Sequence, residues 1–283
     1  MKSGQVYVLL AAVLWGTTGT AQALAPAGAS SLAVGAARLA IGGGVLLLWA
    51  WGRGRLGDGR AWHKRPLLLG ALAVAAYQPF FFAGVARTGV AVGTMVAIGS
   101  APVIAGLGQW AGWGVRPSAR WLAATACAVG GCVLLALSGG ELTVNTGGIL
   151  LTLGAGGSYA LFALQTKTLL ADHAPEAVTA VLFSTGALFL LPLLLFVAIN
   201  WITETSGLLT AVWLGLMATA LAYLLYTRGL VQTPVATAVT LSLAEPLTAA
   251  LLGIFLLDEP VSGPMLAGMG LILGGLVVLG GGD

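Results

Sequence analysis

The chain has 283 residues, 58% hydrophobic and 7% charged, with a mean hydropathy of +0.99. Soluble domains carry about 25% charged residues, so this composition excludes a water-solvated globule and makes the lipid bilayer the solvent. A net charge of +3 does not point to nucleic acid, because the basic residues gather in short loops between apolar runs.

A helix needs about 20 apolar residues to cross a hydrocarbon core of about 30 Å. The runs at 4–24, 30–51, 66–85, 89–112, 118–138, 146–168, 176–199, 207–229, 234–256 and 261–281 predict ten spans. Turn chemistry separates them at Ala25-Pro26-Ala27-Gly28, Gly52-Arg53-Gly54-Arg55, Arg116-Pro117-Ser118 and Asp258-Glu259-Pro260. Spans 8 and 9 are joined tightly through Val231-Gln232-Thr233. Lys2, the run 6–15 and Ala21-Gln22-Ala23 also imitate a cleavable signal peptide. The repeat described below requires that segment as a permanent span.

Span 1 carries Trp15 deep in the membrane, where its indole N–H needs a partner. Thr17 and Thr18 can bond back to their own helix. Span 2 holds Arg38 near its middle, and Trp49 and Trp51 at its end suit an interface belt. Span 3 reads Tyr77-Gln78-Pro79-Phe80-Phe81-Phe82, with Gln78, Phe81 and Phe82 on one face. An amide beside rings suits a zwitterionic head with an apolar side chain; lipid-facing phenylalanines and an amide bonded to a neighbouring helix read equally well. Span 4 sets Thr94, Ile98 and Ala101 in one stripe, with Ser100 beside it.

Span 5 contains both cysteines, Cys127 and Cys132. They point in different directions on a helix, which predicts packed thiols, with neither a disulfide nor a metal pair. Span 6 offers Ser158, Tyr159 and Phe162 as a hydroxyl-rich aromatic patch, Tyr159 foremost. Span 8 carries Tyr223 and also Tyr226, which is close enough to the end of the span to read as an interfacial anchor. Trp201 and Trp213 read as belt residues.

Span 9 places Glu245 in the run 234–256, which has no other charge. A charge at the bilayer centre costs about 2.5–3.5 kcal/mol on insertion scales, so it faces a cavity or a partner. Arg38 is the other residue charged deep within a span, and the two are expected near each other. Three roles stay open for Glu245: a structural pair, a contact for a substrate ammonium, or a proton-coupling site. Pro246 removes a helical donor from the Ser242 carbonyl, which a protonated Glu245 or a water would then satisfy. Pro79 and Pro102 release the Ala75 and Ile98 carbonyls in the same way, either as plain kinks or as ligands for an ammonium.

Orientation follows from the basic residues. With the N-terminus inside, Lys2, Arg53, Arg55, Arg60, Lys64, Arg65, Arg116, Arg120, Lys167 and Arg228 are cytoplasmic, and only Arg87 lies outside. Both termini are then cytoplasmic. The sequence also repeats at a shift of 144 residues: Ala101-Pro102 aligns with Glu245-Pro246, and Gly130-Gly131 with Gly274-Gly275. Gly84 to Thr88 resembles Gly229 to Thr233 with a slip of one. The repeats are assigned to 1–139 and 140–283. An odd number of spans per copy inverts the second copy, an arrangement of secondary transporters with a midplane site.

Ten spans in two repeats, Leu14-Trp15-Gly16, Arg38, Glu245-Pro246 and Asp258-Glu259-Pro260 together resemble the drug/metabolite transporter superfamily, EamA type. Within it the chain is most similar to bacterial aromatic amino acid exporters. The resemblance implies an all-α integral membrane protein with ten transmembrane helices as two inverted five-helix repeats. It implies a bacterial inner-membrane location and a cavity surrounded by spans 1, 3, 4, 6, 8 and 9. Trp15, Tyr77, Gln78, Phe81, Ile98, Ser100, Tyr159, Tyr223, Ser242 and Glu245 become the candidate substrate contacts, with Arg38 as charge partner and Pro79, Pro102 and Pro246 as bending points. Ala101 stands where the second repeat has Glu245, so carboxylate chemistry is one-sided.

The expected function is secondary export of neutral amino acids by alternating access, with no cofactor, metal or nucleic acid and with lipid as the surrounding partner. Another cargo in the same superfamily is the alternative, and a non-transport receptor or structural protein is the alternative of a different class. His63 and His173 fall in inside loops, and the chain has no HExxH helix or Walker loop, which argues against an enzyme.

Overall fold

The computed structural model describes residues 2–57, 60–138, 145–194 and 196–281, which form helices and turns only. Among the described residues, ten helices are long and apolar enough to span a membrane. They are α1 (Ser3–Ala23), α2 (Ser31–Gly52), α3 (Lys64–Gly89), α4 (Val92–Trp113), α5 (Ala119–Ser138), α6 (Thr146–Leu169), α7 (Pro175–Leu194), α8 (Thr205–Gln232), α9 (Val235–Leu256) and α10 (Gly263–Gly280). The expected boundary between repeats, 139/140, lies outside the described residues.

Local chemistry explains where these helices begin and end. Ser30 accepts from the Ala33 N–H at 3.3 Å, Asn145 from Gly148 at 2.9 Å and Ser262 from Met265 at 3.4 Å, each satisfying an orphan donor of a first turn. The chain turns from α3 into α4 at Gly89 alone, with φ 78° and ψ 161°, a conformation only glycine enters freely. Gly114 closes α4 in the left-handed region.

Three sequence expectations change here. Span 7 ends at Leu194 and not at residue 199; Asn200–Thr203 form a short 3-10 turn that carries Trp201 inward. Trp201 is therefore buried against Val34, Ala37 and Leu214 and is no belt residue. An apolar run alone does not distinguish a helix end from a buried loop. Span 9 is also broken, into 235–241 and 244–256. At the break the Ser242 carbonyl accepts from the backbone N–H of Glu245 at 2.9 Å. A tightened turn thus satisfies the carbonyl that Pro246 freed, with no call on the Glu245 side chain.

Packing shows a repeated plan. α1 packs on α8 and α9, and α6 packs in the same way on α3 and α4; α2 meets α7, and α5 meets α10. The closest approaches recur with the sequence shift. A Cβ on Gly131 would stand 2.5 Å from the Gly268 carbonyl and 2.7 Å from Ile272; one on Gly275 would stand 2.6 Å from the Ala124 carbonyl and 3.1 Å from the Ala128 nitrogen. Gly42 faces Thr219 and the Gly215 carbonyl, while Gly186 faces Val74 and the Ala71 carbonyl. Gly4 crosses Gly229 as Gly148 crosses Gly84. Hydrocarbon gives helices no hydrophobic reason to associate, so backbone contact and dispersion hold them together. Large side chains point the other way: Phe255 is 76% exposed and Trp51 71%. Lipid solvates such a surface at no cost.

Candidate functional site

α2, α3, α6, α7 and α8 meet around a pocket near the middle of the membrane. Its walls include Arg38, Tyr77, Gln78, Tyr159, Phe162, Phe183, Thr219 and Tyr223. The room inside is about 20 Å³, enough for about one water. A solute larger than water enters only if the helices move apart.

Six rings cluster at the pocket; Tyr159, Phe162, Phe183 and Tyr223 line it, and Trp15 and Tyr226 pack behind them. Trp15 sits at their centre, 4.8 Å from Tyr223, 5.4 Å from Tyr226 and 6.1 Å from Tyr159, the last edge-on. Phe183 lies 4.3 Å from Tyr223, and Phe162 packs edge-on against both. The hydroxyls of Tyr159, Tyr226 and Ser242 converge, yet neither tyrosine hydroxyl completes a hydrogen bond. The indole N–H of Trp15 is also buried without a partner. Unpaired buried donors cost about 1–3 kcal/mol each, and their concentration at one point marks a site that a polar ligand or water completes.

One charge lines the pocket and a second stands outside its wall. Arg38 lines the pocket; its guanidinium lies against the Tyr223 hydroxyl, and its Nε is buried without a hydrogen bond. Glu245 opens the second part of α9, in a first turn whose exposed N–H groups favour a carboxylate. Its backbone carbonyl touches α1 at Gly16, next to Trp15. The two side chains sense each other's charge, and both act on Tyr77, but no direct ion pair joins them among the described residues.

The other candidates divide. Gln78 is buried in the pocket wall, and Tyr77 stacks on Phe81, which itself stands behind that wall. Ser242 is buried and donates to the Val239 carbonyl at 2.7 Å. Ile98 packs on the core, and Ser100 sits where α4 crosses α6 at Gly156, donating to the Ala97 carbonyl at 3.3 Å. Pro79 is exposed to the lipid side, Pro102 is buried and Pro246 is half-buried. Tyr226 is a correction: it is fully buried in the ring cluster and is no interfacial anchor. α8 runs on to Gln232, which draws Tyr226 deeper. Thr17 does bond back to Leu14, at 2.7 Å, and also accepts from the Trp213 indole at 2.9 Å. Cys127 and Cys132 are both free thiols. Sequence reasoning missed Phe183 and Thr219. Thr219 had a signal, as the one polar side chain in the run 211–222; Phe183 had none.

Polar contacts tie the helices together toward both faces. On the face that carries the termini, Arg228 pairs with Glu176 at 2.6 Å and Ser3 donates to Gln232 at 2.7 Å. Lys167 gathers the Leu230, Val231 and Thr233 carbonyls at 2.6–3.3 Å, closing the end of α8. Gln109 accepts from the Ala236 N–H at 3.0 Å and caps the start of α9. On the same face Asp172 and His63 pair at 3.2 Å, and Trp62 stacks on His173 at 3.9 Å. Toward the opposite face the contacts are the Thr17–Trp213 bond, Thr210 donating to the Ala21 carbonyl at 3.2 Å, and the Gly84–Gly148 crossing.

Ten helices long enough to cross a membrane, around an aromatic pocket with one arginine and one amide in its wall, are the architecture of a multi-pass membrane transporter. The model of the EamA-like transporter family matches residues 2–137 and again 146–281, and the chain belongs to that family. Its fold is accordingly that of the drug/metabolite transporter superfamily. The chain is similar to "Uncharacterized transporter YwfM" of Bacillus subtilis (strain 168), 46% identical over 274 residues, covering 97% of this chain and 92% of that protein. It is also similar to an "Uncharacterized transporter" of Archaeoglobus fulgidus, 30% identical over 58% of each chain. A solved crystal structure shares the fold with a TM-score of 0.84 at 23% identity, over 98% of this chain and 96% of the other.

Proposed function

We propose that the protein exports neutral amino acids, aromatic ones foremost and also methionine and threonine, across the bacterial cytoplasmic membrane by alternating access. The observation that carries this reading is the pocket itself. One cation, a buried amide and the rings of Tyr159, Phe162, Phe183 and Tyr223 line it, and the Glu245 backbone lies against α1 next to Trp15, which packs on Tyr223, a combination suited to a zwitterion with an apolar side chain. A multiply anionic cargo would need several cations, and Arg38 is the one cation among the pocket walls. The repeats, 1–139 and 140–283, act as two inverted halves that rock about the α2–α7 and α5–α10 contacts. The contacts at the two faces open in turn.

Binding tests this reading directly. Phenylalanine at about a hundred times its dissociation constant should stabilise the folded protein by about 2.7 kcal/mol. That raises the unfolding midpoint in detergent by about 5–10 °C. Tryptophan should behave in the same way, while a sugar phosphate and a quaternary amine should leave the midpoint in place. Stabilisation by the sugar phosphate alone would replace the amino acid with another cargo.

The orientation proposed here puts both termini and the loop after α2 in the cytoplasm. A Gly57→Cys substitution, in a chain whose two native cysteines are replaced by alanine, introduces a thiol with no atom near its Cβ. It should react with a membrane-impermeant maleimide only after the cytoplasmic side is exposed. Labelling in intact cells would invert the topology.

A further inference from the structure

We propose that Arg38 and Glu245 divide the substrate's head group between them, the guanidinium taking the α-carboxylate and the Glu245 carboxylate the α-ammonium. This inference rests on the amino acid reading above and assigns its selectivity. Three observations carry it. Arg38 is a pocket wall with a buried Nε that no protein atom satisfies. Glu245 begins a helix segment at mid-membrane, where the turn itself has already satisfied the Ser242 carbonyl, so its side chain is not committed to the break. Finally, Glu245 reaches the pocket's ring cluster through α1, its backbone carbonyl against Gly16 next to Trp15, which packs on the pocket wall Tyr223, and no direct ion pair joins it to Arg38 among the described residues.

The last point bears most weight. Two opposite charges in a low-dielectric interior lose solvation, and direct contact is the ordinary compensation. A pair held near each other yet apart leaves both groups with hydrogen-bonding capacity. A zwitterion placed between them supplies an anion to the cation and a cation to the anion, and keeps the centre neutral. The rings of Tyr159, Phe162 and Tyr223 then stand beside the head group, where the helices must part to admit an apolar side chain. The arrangement also explains why the first repeat has Ala101 in place of a second carboxylate: one ammonium needs one.

The test separates the two ends of the molecule. Wild-type protein, Arg38→Gln and Glu245→Gln are reconstituted in liposomes, and exchange of labelled phenylalanine is competed with phenylalanine, phenylethylamine, which lacks the carboxylate, and 3-phenylpropionate, which lacks the ammonium. In wild type each truncated analogue should compete at least about tenfold more weakly than phenylalanine, since a hydrogen bond to a charged group is worth about 1.5–3 kcal/mol. Arg38→Gln should lose the preference over phenylethylamine and keep the preference over 3-phenylpropionate; Glu245→Gln should do the reverse. Where exchange is too weak to compete, the same three ligands are ranked by thermal stabilisation of the purified variants. If a variant does not fold, the wild-type ranking decides. Analogues that compete as well as phenylalanine, or variants whose preferences do not move, overturn this assignment while leaving amino acid export standing. Absence of any amino acid binding or exchange by folded wild type overturns the export reading as well.

Discussion

Gly131→Ala should destabilise the folded protein by about 1–3 kcal/mol, while Gly130→Ala, one residue away, should leave stability unchanged. The added methyl at Gly131 would stand 2.5 Å from the Gly268 carbonyl oxygen, which is backbone and cannot rotate aside, whereas nothing lies within 4 Å of a Cβ on Gly130. α5 and α10 would have to separate, and the dispersion contacts that join them would weaken along the whole crossing. The repeat makes the prediction stronger. A Cβ on Gly275 would stand 2.6 Å from the Ala124 carbonyl in the matching position, so Gly275→Ala should lose a similar amount and Gly274→Ala almost nothing. Unfolding midpoints of the four purified variants measure this. Equal losses at Gly130 and Gly131 would mean that the crossing is not as close as described.

The second large effect concerns transport alone. Tyr159→Ala should reduce amino acid exchange at least about tenfold per folded molecule, with most of the folded yield retained. Tyr159 is half-buried, lines the pocket and has a hydroxyl without a completed hydrogen bond. Its removal takes away one wall of the pocket and one hydroxyl that the proposed substrate would meet. Tyr226 is the informative comparison, because it belongs to the same ring cluster but is fully enclosed and is not a pocket wall. Tyr226→Ala leaves a cavity in packed protein, which costs about 3–5 kcal/mol for a large aromatic side chain, so folded yield and exchange should fall together. Exchange divided by monodisperse protein on size exclusion separates the two cases. If Tyr159→Ala loses yield and exchange in proportion, its role is packing.

Hydropathy made the ten spans legible because the bilayer imposes one length on every helix. Glycine did the same for the pairing of helices. The shift that aligns Gly130-Gly131 with Gly274-Gly275 in the sequence is the shift that relates the two halves of the α5–α10 contact. The same economy hid other features. Hydropathy cannot tell that Trp201 folds inward on a 3-10 turn, since buried loop and helix end have the same composition. Tyr226 was misread because depth was measured from a helix end placed at residue 229, and α8 continues to Gln232.

The candidate site was legible where polarity is rare. Arg38, Gln78 and Glu245 stand out against an apolar background; the structure puts Arg38 and Gln78 in the pocket wall and Glu245 outside that wall, beside α1 at Gly16. Phe183 was not legible, because a phenylalanine in an apolar span looks the same whether it faces lipid or a pocket. Nor did the sequence reveal how the Ser242 carbonyl is satisfied. Proline predicts which carbonyl loses its donor, but only the geometry of the break shows that the Glu245 backbone N–H turns back to meet it.

Export of amino acids through this pocket is tested most directly by counterflow in liposomes. Purified protein is reconstituted, the vesicles are loaded with unlabelled phenylalanine, and entry of labelled phenylalanine is followed with and without an imposed pH gradient, for wild type and for Glu245→Gln. The account predicts saturable entry by wild type that requires internal phenylalanine, with a large loss in the variant. Dependence on the pH gradient that disappears in Glu245→Gln would add proton coupling to the role of that carboxylate. No entry above protein-free vesicles, from wild-type protein that is folded and monodisperse, would contradict amino acid transport.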